Sequence, residues 1–160
     1  MPKQEIVKSL IDYRYSLYNR LRESIDSLNA EHFLEDTSYS YGSVRNHLVH
    51  IAQTDTRWMM GMQGDPTSRQ FALDPADYPD KQAVKTLLDE TAAKVTAWVD
   101  TLEDSELEQT PPGFGGPMWQ SLLHIVNHGT DHREQVLHLL YEHGAQTFDQ
   151  ELITHLWNKD

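Results

Sequence analysis

Apolar residues recur along most of the chain at every third or fourth position. Over residues 3–28 they are Ile6, Leu10, Tyr13, Leu17, Leu21, Ile25 and Leu28, the spacing of one face of a helix and not of a strand. A second periodic stretch follows Ser43, a suitable N-cap. It carries Val44, Leu48, Ile51, Trp58 and Met62 and is stopped by Gly64-Asp65-Pro66. A third covers residues 80–102 on Val84, Leu87, Leu88, Thr91, Val95, Trp98 and Leu102. The fourth covers residues 118–143, with Gly144 as its C-terminal stop.

The stretches between them lack a period. Residues 29–41 are polar, end in Tyr-Ser-Tyr, and read as a loop; residues 65–79 contain three prolines and form the longest irregular connection. Asp100, Glu103, Asp104, Glu106 and Glu108 have no basic neighbour. Carboxylates are unfavourable at a helix C-terminus, so this run is expected to be a solvated turn. Pro111-Pro112-Gly113-Phe114-Gly115-Gly116-Pro117 is a clear break. Residues 149–157 form one short last helix. No segment reads as a strand. Four long amphipathic helices can bury their stripes only against one another. The expectation is an all-α, four-helix bundle with a short extra C-terminal helix, in one domain over residues 1–160.

Composition narrows the function. Thirteen Lys and Arg against twenty-five Asp and Glu give a net charge of −12, which opposes binding to a phosphate backbone or an anionic lipid surface. No apolar run reaches the roughly 18 residues of a membrane span, and the first twenty residues lack the apolar stretch of a signal peptide. A cytoplasmic protein without membrane or nucleic-acid partners is expected. The absence of cysteine removes disulfides, thiolate nucleophiles and iron–sulfur ligation. Any metal must be held by His, Asp, Glu or water.

Nine histidines make such a site worth seeking. His124, His128 and His132 stand at successive i, i+4 positions of the fourth helix. With His124 at zero on a helical wheel, His128 falls near about 40° and His132 near about 80°, inside the apolar stripe. His124 lies at its edge, and His138 points to solvent. Unbonded polar groups are costly to bury. A helical H-x-x-x-H pair aims both imidazoles at one point, where a metal ion satisfies both. The bland alternative is two histidines bonded to water or backbone carbonyls. The second helix offers a third imidazole, His47 or His50. Periodicity makes His47 the more inward but does not decide between them. His32, His143 and His155 lie in loops or at ends, where solvated histidines are the default.

The run His124-Ile-Val-Asn127-His128-Gly-Thr-Asp131-His132-Arg133-Glu134-Gln135 resembles the pattern N-H-x-x-x-H-R-x-Q of the DinB/YfiT-like family, preceded as there by an aromatic, Trp119. Leu48–Trp58 resembles that family's second-helix motif, a His before a small apolar pair with an aromatic eight residues on. Residues 148–153 fit its tail. The resemblance implies a four-helix bundle with one divalent ion, zinc, nickel, iron, manganese or cobalt, held by His50, His128 and His132. It thus selects His50 over His47. Asp131 stands where the family often has a second His, and Glu134 where it is often small or polar. Both add carboxylates near the site. Asp55, Asp131 and Gln135 are the candidates to bond the ligands from behind.

The resemblance further implies a metal-dependent hydrolase or thiol-dependent transferase acting on a small molecule, with a low-molecular-weight thiol as cosubstrate, and a homodimer. The competing class is a non-catalytic metal-binding module of structural or stress-response type. Trp58, Trp98, Trp119 and Trp157 read as core or interface aromatics, with Trp119 and Phe114 flanking the histidine helix. Met59, Met60 and Met62 read as gap fillers. Gly113-Phe-Gly-Gly lacks the Lys-Ser/Thr of a phosphate loop, and no nucleophile elbow is present.

Overall fold

The computed structural model describes residues 2–158, and those residues are helical without a strand. The predicted helix over residues 3–28 is divided at Leu17 into α1 (Lys3–Ser16) and α2 (Tyr18–Ser27). The Ser16 hydroxyl donates to the Tyr13 carbonyl at 2.9 Å, a side-chain bond of the kind that bends helices. The buried face also starts one residue later than expected. Val7 and Ile11 enter the core, while Ile6 is 43% exposed. The predicted loop at residues 29–41 contains a short helix, α3 (Ala30–Leu34), capped by the Asn29 side chain accepting from the Glu31 amide.

Next comes α4 (Val44–Met62), with Ser43 as the expected N-cap, its hydroxyl accepting from the Asn46 amide. The proline-rich connection makes two 3-10 turns before α5 (Lys81–Asp100), whose cap is Asp80. The acidic run departs from expectation: it forms α6 (Asp104–Leu107) with a reciprocal capping box between Glu103 and Glu106. Its carboxylates lie at a helix N-terminus, where the dipole favours them, and its Leu107 is fully buried. The histidine helix is α7 (Met118–Glu142), and the chain's last described helix is α8 (Leu152–Trp157).

The long helices form a ring: α4 packs on α5 and α7, and α1 packs on the same two. Their buried residues fall into two apolar clusters. One holds Leu21, Ile25, Leu48, Ile51, Leu88, Val136 and Leu140; the other holds Val7, Ile11, Met59, Met62, Val95, Leu122 and Ile125. On α1, α4, α5 and α7 the boundary between clusters falls at polar or small residues: Arg14, Asp55, Thr91, Gly129 and Arg133, all buried. The bundle therefore has a polar layer across its waist. Trp58, Trp98 and Trp119 pack against the second cluster, whereas Trp157 is 79% exposed and belongs to no core.

Candidate metal centre

The waist is held first by Arg14. Its Nη2 lies 2.6 Å from both carboxylate oxygens of Asp55, and its Nη1 donates to the Ile125 carbonyl at 2.8 Å. The Tyr15 hydroxyl donates to the same carboxylate at 2.9 Å. Burial works against the guanidinium's charge, but Asp55, Tyr18 and Tyr15 together outweigh it and raise the Arg14 pKa. Burial and the Asp55 charge push the Tyr15 phenol well up, so it stays a donor. Guanidinium and carboxylate are both without solvent exposure. Gly129 makes room for this pair, since a Cβ there would fall inside the Arg14 guanidinium.

Beside the pair, His128 and His132 project from α7 and His50 from α4. The Nε2 atoms of His50 and His128 are 3.2 Å apart, and one ligand atom from each of the three rings lies within 4.8 Å of the others. The His128 and His132 ring centroids are 4.2 Å apart, those of His50 and His132 4.7 Å. Tyr41 stacks on His50 at 3.9 Å and 20°.

Burial, then the neighbouring His132 and His47 rings and Arg57, lower the His50 pKa to about 4. Burial, then His132, His50 and Arg14, lower that of His128 to about 3. Both are uncharged at neutral pH, the state in which imidazole binds metal. A tetrahedral ion at metal–nitrogen distances of 2.0–2.1 Å sets its ligand nitrogens roughly 3.3 Å apart, close to the His50–His128 spacing. These three histidines can hold a metal ion.

The three candidates for bonding behind the ligands separate. The Gln135 carbonyl oxygen accepts from His132 Nδ1 at 2.8 Å and from the Ser40 hydroxyl at 3.2 Å. That bond leaves His132 Nε2 for an ion. Asp131 is exposed and accepts from Asn127; Asp55 serves Arg14 and Tyr15. Neither bonds a histidine among the described contacts. His128 Nδ1 is buried without a hydrogen-bond partner.

His47 is fully buried, as periodicity expects. Its Nδ1 donates to the Ser43 carbonyl at 2.8 Å, and its Nε2 accepts from the Tyr41 amide at 3.4 Å. Both nitrogens are engaged, and His50 is the α4 member of the group. His124 is exposed and lies against Trp58, with centroids 4.5 Å apart. His155 is not simply solvated: its ring packs edge-on against Tyr13.

Sequence reasoning misses Arg14 and Tyr41. Arg14 had a signal, because it stands seven residues from both Val7 and Leu21 and so lies on the buried stripe. Tyr41 had none, since loop position follows from the fold. A family model described as the DinB family matches residues 1–158, and the chain belongs to that family. No curated protein matches the sequence.

Proposed function

We propose that this member of the DinB family is a metal-dependent enzyme in which His50, His128 and His132 hold one divalent ion that takes a small-molecule nucleophile. The carrying observation is the donor set: three imidazoles converge, and no fourth His, Asp or Glu joins the group among the described residues. Structural sites close with four protein ligands, whereas catalytic ones keep a position open. A divalent ion bound there lowers the pKa of a thiol or water and supplies a nucleophile at neutral pH. The chain has no cysteine, so a thiol comes from a cosubstrate of low molecular weight.

The protein's own groups orient the ligands. Gln135 fixes the His132 tautomer and ring plane, and Tyr41 stacks on the His50 ring. Room for a substrate is offered by a half-open cavity of about 350 Å³ lined by Arg57, Trp58, Arg69 and Phe114, whose Trp58 packs against His124. Its two guanidinium groups suit a substrate with a negative group, and its aromatic walls suit an apolar one. A homodimer belongs to this reading, supported by the exposed Ile153, Leu156 and Trp157 of α8.

Elemental analysis of untagged protein, paired with turnover of a low-molecular-weight thiol and an electrophile, tests the reading. One ion per three-histidine group is expected, lost in His50→Ala, His128→Ala and His132→Ala and kept in His47→Ala and His124→Ala. Alanine preserves the helix. Metal retention and metal-dependent melting without turnover of thiol or hydrolysable substrates would make the chain a non-catalytic module.

A further inference from the structure

We infer that the chain holds a second divalent-cation site, formed by His32 and Glu35 at α3 and His143 at the end of α7, and that this site takes zinc. His143 follows His132 by eleven residues, which is roughly 16 Å along a helix, so the two clusters do not share an ion. One ligand atom from each of His32, Glu35 and His143 lies within 4.8 Å of the others. His32 Nδ1 is 2.6 Å from Glu35 Oε2, and His143 Nε2 is 4.0 Å from the same oxygen. The two imidazoles stack at 4.1 Å between centroids and 17° between planes.

Hydrogen bonding leaves this cluster incomplete. The His143 side chain is only 15% exposed, and its Nε2 is buried with no hydrogen-bond partner. The nitrogen faces a carboxylate that is already bonded to His32. One cation between the three groups would satisfy all of them. Two imidazoles and a carboxylate are an established zinc donor set, and water can complete the coordination from the open side of Glu35, which is half exposed. Donors on one tetrahedral ion sit roughly 3.3 Å apart, so binding would open the 2.6 Å contact and close the 4.0 Å gap through rotation of the half-exposed Glu35 side chain.

Occupancy would tie α3 to the far end of α7 and so fix the start of the segment between α3 and α4. That segment delivers Ser40 to Gln135 and Tyr41 to His50. The inference stands on its own residues and does not require the three-histidine ion.

Equilibrium dialysis of chelator-treated, untagged protein against zinc, followed by elemental analysis, decides it. Wild type should hold two zinc ions per chain. His32→Ala, Glu35→Gln and His143→Ala should each hold one, and His128→Ala/His143→Ala none, with circular dichroism unchanged. His32 is 41% exposed, so its variant reports without disturbing the core. Zinc content unaltered by both His32→Ala and His143→Ala overturns the inference. Content lowered by His143→Ala but not by His128→Ala upholds it and sinks the three-histidine reading instead.

Discussion

Arg14 carries its charge where no solvent reaches, and its partner Asp55 comes from a different helix. Such a pair contributes little against an apolar replacement, but breaking it on one side strands a buried charge. Asp55→Ala should therefore lower unfolding stability by about 3–5 kcal/mol, read as a lower urea midpoint. The histidines next to the pair show how burial and ligation part company. His47 is the more buried, and the hydrophobic pattern finds it. His50 stands at the margin of its helix's stripe, half-buried, where its ring meets those of His128 and His132. Periodicity reports the core and is silent about its edge; the flanking run Leu48–Trp58 carried the choice of His50.

The long helices were legible because each buries enough residues to display its period. Two short ones, α3 and α6, were not. In α3 the buried residue is Phe33, and in α6 it is Leu107, and one position has no period. What marks these helices is capping, Asn29 for one and the Glu103–Glu106 box for the other. At α4 the cap was legible and has a measurable effect. Ser43 is buried and satisfies the Asn46 amide, so Ser43→Ala should cost about 1 kcal/mol by chemical denaturation. Zinc content should persist, because His47 bonds the Ser43 backbone carbonyl and not its hydroxyl.

For the whole molecule, the waist divides one long core into two apolar halves, and the metal-ready histidines lie beside it. Their protonation then couples to folding. In the native state the His50 and His128 pKa values fall to about 4 and about 3 from an ordinary value of 6.5. The unfolded chain binds these protons first. Stability of the metal-free protein is thus fully present above pH 6.5 and is lost as pH falls from there through the folded values. Near pH 5, unfolding should take up about 2 protons at these sites. The slope of urea midpoint against pH checks this, and His50→Ala/His128→Ala should flatten it. At the same scale, light scattering should give twice 18.5 kDa; a monomer mass at micromolar concentration removes the dimer from the proposal. Among the described residues no helix is long and apolar enough to cross a membrane.

Gly129 follows directly after His128, so a reader comparing related sequences would assign it to the metal motif. Its reason lies elsewhere. A side chain at 129 would occupy the place of the Arg14 guanidinium, which belongs to α1, more than a hundred residues earlier. Positions 14 and 129 should then vary together across relatives: glycine where 14 is arginine, a larger residue admitted only where 14 is short. The same dependence should appear in a double-mutant cycle. Gly129→Ala should be strongly destabilising in the wild-type background and far milder once Arg14 and Asp55 have been replaced together by apolar residues. What looks like part of a metal-binding signature is, at this position, the imprint of a cation from another helix.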